Sequence, residues 1–179
     1  MYKKIILNTF LVIGLFAVHF SFVSGLPSLL RNLNLILVIL ILILGLGNFK
    51  LAFFWAIGLG IFLDAYSFFS FNVFLISLVS TIILANLLQT NFFTDRSLYS
   101  FLALTFFSSI FYEVCLYVLS FLDSFFSRQE FKIFWNFGFF KNELSKIFIN
   151  LTAIFIFYYF ISLISKNLQP VFLVRKKLK

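Results

Sequence analysis

Apolar runs of helix-spanning length recur along the whole chain, separated by short polar or glycine-bearing breaks. They cover residues 5–24, 32–47, 51–66, 72–91, 98–122 and 144–165. A transmembrane helix needs about 20 consecutive apolar residues, so the pattern predicts an all-α polytopic membrane bundle of about six transmembrane helices. All of residues 1–179 belong to that single transmembrane domain. The first run, preceded by Lys3 and Lys4, resembles a signal peptide with a Val23-Ser24-Gly25 site. It is longer than a signal core and further spans follow, so it is expected to stay as the first helix.

The breaks have their own chemistry. Gly25-Leu26-Pro27-Ser28 ends the first run, and Gly45, Gly47, Asn48 and Lys50 predict a tight turn into the third. The uncharged connection 67–72 is short enough to force the third and fourth helices to pack antiparallel. Thr94-Asp95-Arg96-Ser97 carries an N-cap signal for the fifth. Residues 123–142 mix Arg128, Glu130, Lys132 and Lys141 with Phe131, Phe134, Trp135 and Phe139. Aromatics among charges belong at headgroup level, which predicts an interfacial loop there.

Composition reinforces the membrane reading. The chain is 63% hydrophobic and 11% charged, with mean hydropathy +1.10, whereas a soluble domain is about one quarter charged. The net charge of +8 is assigned to orientation and anionic headgroups rather than to nucleic acid. With six spans, nine basic residues (Lys3, Lys4, Lys50, Arg96, Lys166, Arg175, Lys176, Lys177, Lys179) fall on one side and five (Arg31, Arg128, Lys132, Lys141, Lys146) on the other. That bias predicts a multi-pass protein of the cell inner (plasma) membrane with both termini cytoplasmic. Cys115 is alone, which excludes an intramolecular disulfide. The 31 phenylalanines follow an AT-rich codon bias and are not read as an aromatic box.

Within the spans, 34–44 is almost purely Leu, Ile and Val and is expected to face lipid. Ser77, Ser80 and Thr81 are available for interhelical hydrogen bonds. The third run, LAFFWAIGLGIFLDAYS, stands apart because Ala56, Gly60 and Asp64 lie four residues apart and Ser67 follows at i+3, on one helical face. Small residues allow close backbone approach, and an intramembrane acid needs a partner. The bland reading is a cap or bond to a neighbouring helix; the sharper one is a docking face for another protein's transmembrane segment. His19 and Glu113 are the other intramembrane polar groups, the histidine expected to be packed or hydrogen-bonded between helices. One His, one Cys and no HExxH, GxSxG or glycine-rich phosphate loop leave no catalytic set and no cofactor or metal ligands to assign.

The segment AIGLGIFLDAYS, followed by FNVFLISLVSTIILANLL, resembles the signature of the MreD family of rod-shape-determining membrane proteins. That pattern is Gly-Leu-x-x-Gly-Leu-x-x-Asp-x-x-Ser; Ala56 takes the first glycine position, Gly60 the second, Asp64 the acid and Ser67 the serine. Phe93 to Tyr99 is similar to that family's turn into helix five, and Asn72 stands where the family usually has glycine. The resemblance implies a non-enzymatic scaffold of the cell-elongation machinery, with MreC-like and other elongation-complex membrane proteins as partners and no small-molecule substrate. The competing expectation is a substrate-binding membrane subunit of an energy-coupling-factor vitamin transporter, with Asp64, Glu113, His19 and Trp135 lining an outward pocket.

Overall fold

The computed structural model describes residues 2–23, 25, 30–67, 72–93, 97–127 and 137–164, and every regular element among them is helical. In chain order these are α1 (Tyr2–Val18), a π-helical turn (His19–Val23), a 3-10 turn (Leu30–Asn32), α2 (Leu35–Gly45), α3 (Phe49–Tyr66), α4 (Val73–Asn91), α5 (Leu98–Ser127) and α6 (Phe137–Ile164). Four helices are long and apolar enough to cross a membrane: α3, α4, and the stretches Leu98–Phe125 of α5 and Gly138–Leu163 of α6. The chain is an all-α helical membrane bundle. Large side chains such as Phe54, Phe92, Phe125, Phe148 and Leu163 stand exposed on its outside, where acyl chains would solvate them.

Consecutive helices pack on one another from α2 to α6, and α1 lies against α3. The centre of the bundle is α2, which touches α3, α4, α5 and α6. Nine of its eleven residues are buried, so the expectation of a lipid-facing second helix is corrected. An element apolar all round suits either lipid or a core, and its pattern alone cannot choose. The choice is made at its two ends.

At the C-terminal end, the Gly45 carbonyl accepts from Gln89 of α4, and a Cβ on Gly45 would run into the Phe101 ring of α5. Gly47, at φ 90°, then turns the chain into α3 in a backbone conformation that costs glycine little. At the N-terminal end, Asn34 caps α2 by accepting from the Leu37 amide at 3.0 Å. Its own amide donates to Asn150 Oδ1 of α6 at 2.9 Å, and Asn150 Nδ2 donates to Ser109 Oγ of α5 at 3.3 Å. Both ends are thus fastened to helices α4, α5 and α6.

Two further expectations change. The interfacial loop 123–142 is shortened from both sides, since α5 continues to Ser127 and α6 begins at Phe137; Trp135 and the tail 175–179 lie outside the described residues. Ser77, Ser80 and Thr81 do not bridge helices through backbone-satisfying bonds. Their hydroxyls donate to carbonyls of their own helix, at Val73, Ile76 and Ser77, a short-range alternative always open to Ser and Thr. Only Ser80 also reaches across, to Cys115 Sγ of α5 at 3.7 Å. The α5 N-cap signal is met by Ser97, whose Oγ accepts from the Ser100 amide.

Candidate functional site

The α3 motif turns inward. Ala56 and Gly60 are buried, and a Cβ built on Gly60 would lie 2.6 Å from Leu75 Cα of α4. No side chain fits there without moving a backbone. One turn on, Asp64 places Oδ1 2.9 Å from the Phe74 amide and Oδ2 2.9 Å from the Leu75 amide. These are first-turn N–H groups of α4, which have no partner inside their own helix. Asn72, the residue in the cap position, makes no side-chain cap bond, so the carboxylate from the preceding helix does that work. Its negative charge also meets the positive end of the α4 dipole. Ser67 closes α3 by donating from Oγ to the Asp64 carbonyl at 3.0 Å.

Gly60 and Asp64 of the face expected to receive a foreign helix are therefore taken up by α4 of the same chain, and Ala56 is buried within the bundle. Asn72 sits at φ 21°, in the left-handed region where glycine is least strained. That is the physical reason a glycine suits this position.

The second feature is a cavity of about 510 Å³, lined by His19, Phe20, Arg31, Asn32, Leu33, Asn34, Ile36, Leu63, Phe74, Tyr112, Glu113, Leu116 and Lys146. Its origin is a length mismatch. The eleven residues of α2 reach about 16 Å at 1.5 Å per residue, while the hydrocarbon layer is about 30 Å. Helices α3, α5 and α6 continue past the α2 N-terminus, and the lane that α2 leaves is the cavity. A smaller space of about 270 Å³ at the other end of α2 has no charged residue in its lining.

On one wall, Lys146 Nζ of α6 lies 3.2 Å from Glu113 Oε2 of α5 and 2.9 Å from Glu143 Oε1. Tyr117 donates to the same Glu143 oxygen at 2.8 Å. Lys146, counted from sequence as a boundary residue, is the partner that lets Glu113 sit inside the bundle. The signal for it was present: Glu143, Lys146 and Asn150 share one face of α6, as Ser109, Glu113 and Tyr117 share one face of α5. On another wall, His19 and Phe20 come from the π-helical turn, and His19 Nδ1 is buried with no hydrogen-bond partner among the described residues. The histidine is packed beside Phe20, and among the described residues its Nδ1 makes no bond to another helix.

So the cavity brings His19 and Glu113 together, while Asp64 is spent on α4 and is not among the lining residues. Fold and site define a class: an α-helical membrane bundle with a mainly apolar cavity, bearing a few charged side chains, beyond a short central helix. No known family model, curated protein or solved structure matches the chain. Among the described residues, no group of three or more His, Cys, Asp or Glu could hold a metal ion.

Proposed function

We propose that the chain is a non-enzymatic membrane scaffold of the bacterial cell-elongation machinery, regulating peptidoglycan synthesis and cell shape through contacts with partner membrane proteins. The observation that supports this reading is the use made of the MreD-like motif: Asp64, its only ionisable group, is taken up by two backbone amides of α4. A motif whose acid fixes a helical hairpin serves shape, and partner helices take the outward faces of the bundle because Ala56 and Gly60 are buried. Both termini lie in the cytoplasm. The support is the bias of nine basic residues against five between the two sides. Depletion of the chain in its host tests the proposal. Rounding of rod-shaped cells, with co-purification of an MreC-like protein, supports it; rods of unchanged shape and no such complex overturn it.

The cavity favours a second reading, the substrate-binding subunit of an energy-coupling-factor vitamin transporter, in which His19 and Glu113 contact the vitamin. Co-purification with a transporter ATPase, and thermal stabilisation by one member of a vitamin panel, would select it over the scaffold.

A further inference from the structure

The edge of the hydrocarbon layer can be placed along α6. Lys141 and Asn142 are exposed in its first turns. Past them the exposed positions of α6 among the described residues carry no charge and no amide, and they begin with Leu144 and Phe148, 67% and 72% exposed. Charged and amide side chains stay out of acyl chains while apolar ones enter them, so the edge runs beside Asn142 and Leu144. Asn32 Nδ2 donates to Asn142 Oδ1 at 2.9 Å, which brings the 3-10 turn and its Arg31 to that level. Two residues on, Asn34 is bonded to Asn150, well past the edge. The cavity lining from Arg31 to Ile36 therefore runs from the edge inward. Arg31 is the one exposed residue of that lining, and among the described residues it makes no ion pair. The other two lining charges, Glu113 and Lys146, are paired at 3.2 Å, and Glu143, outside the lining, holds Lys146 as well. Arg31 is thus the charge left over for a ligand, and Phe20, Leu33, Ile36, Leu63, Phe74 and Leu116 supply the apolar wall below it.

We propose that this cavity holds one anionic membrane lipid, with its phosphate on Arg31 and the upper part of an acyl chain along the apolar wall. The guanidinium fork matches a phosphate, and at the edge of the hydrocarbon layer such a charge-assisted bond meets little competition from water. A soluble anion would leave the apolar wall unfilled, and an uncharged chain would leave Arg31 unmatched. A lipid of net negative charge such as phosphatidylglycerol suits the site better than phosphatidylcholine, whose own ammonium competes for the phosphate. The volume of about 510 Å³ is in the range of small-molecule sites, so it takes part of one lipid and the rest stays in the bilayer. The lane left open by the short α2 is then filled by a chain of the membrane itself. The inference does not rest on the scaffold reading, and its readout is separate from cell shape.

The test uses the full chain purified in detergent, with its melting temperature followed as phosphatidylglycerol, phosphatidylcholine, glycerol phosphate or an uncharged monoacylglycerol is added. A saturating rise with phosphatidylglycerol, larger than with the other three, is expected, since a bound ligand stabilises by mass action. Arg31→Gln is expected to weaken that lipid about tenfold, the loss of one charge-assisted bond. Lys141→Gln removes the same charge from an exposed position outside the lining and is expected to change nothing. Leu116→Trp places an indole in the lane of the chain and is expected to weaken the lipid as well; should it fail to fold, the Arg31 and Lys141 variants decide alone. An equal rise with phosphatidylcholine, glycerol phosphate or monoacylglycerol, or no rise with any probe, overturns the proposal. So does wild-type affinity in Arg31→Gln or in folded Leu116→Trp, or an equal loss in Lys141→Gln, which would mark a response to net charge.

Discussion

Replacing Asp64 by alanine removes both acceptors from the first turn of α4 and leaves the Phe74 and Leu75 amides unpaired. Hydrogen bonds to a charged group contribute about 1.5–3 kcal/mol each, so Asp64→Ala is expected to cost about 3–6 kcal/mol. Asp64→Asn keeps one acceptor oxygen but turns an NH2 toward the second amide, so about half that loss is expected. Unfolding in a titration of denaturing detergent, followed by Trp55 fluorescence, measures the series. A Phe74→Pro background sharpens the result, because proline is tolerated in a first helical turn and removes one of the two donors. There the Asp64→Ala change should cost less by one bond, a coupling of about 1.5–3 kcal/mol in a double-mutant cycle. An Asp64→Ala protein within about 0.5 kcal/mol of wild type, the range of an uninvolved surface change, would refute the capping argument.

Other substitutions probe the same hairpin and the charge trio. Gly60→Leu meets the α4 backbone and is expected to lose at least about 1–3 kcal/mol to overpacking. Gly14→Ala, with nothing within 4 Å of its new Cβ, is expected to gain up to about 1 kcal/mol of helix propensity; both are read by detergent-titrated unfolding. Asn72→Gly relieves the left-handed backbone and should raise the melting temperature, by up to about 1 kcal/mol in stability, whereas Asn72→Ala should lower it. Lys146→Met leaves Glu113 and Glu143 facing each other without their cation, an uncompensated burial worth about 3–5 kcal/mol. Adding Glu113→Gln to Lys146→Met should recover part of the loss, and circular-dichroism melts of the two variants decide it.

How far the sequence could be read depended on whether a residue's partner was local. Apolar run length found the six α-helices among the described residues, four of them long enough to cross a membrane, and the Gly45–Lys50 break and Ser97 marked a turn and a cap, because these signals are confined to a few neighbouring residues. The spacing of Ala56, Gly60 and Asp64 revealed a helix-packing face, but not whose helix fills it; periodicity carries no address. The same limit placed α2 in lipid. With eleven residues of uniform apolarity, its location is decided by Asn34, Gln89 and Asn150, whose partners are 44 to 116 residues away in sequence. The cavity was the least legible feature, since it follows from one helix being shorter than those around it.

That dependence makes Asn150 the residue on which the cavity's floor rests. Its side chain is 3% exposed, accepts the Asn34 amide and donates to Ser109, joining α2, α5 and α6 in one chain of bonds. In water such a link would compete with solvent, but inside a bundle the alternative to the bond is an unpaired polar group. Asn150→Leu conserves much of the volume and strands the Asn34 amide, a loss of about 1–3 kcal/mol. Since the Gln89 and Phe101 contacts at the other end of α2 are untouched, the damage should be local. Hydrogen exchange is expected to quicken at Leu37 and Val38, in the first turn of α2, and to stay unchanged at Phe74 and Leu75 under the Asp64 cap. Exchange that is equally slow at both ends would mean that lateral packing alone holds the short helix, and that the cavity does not need its polar fastening.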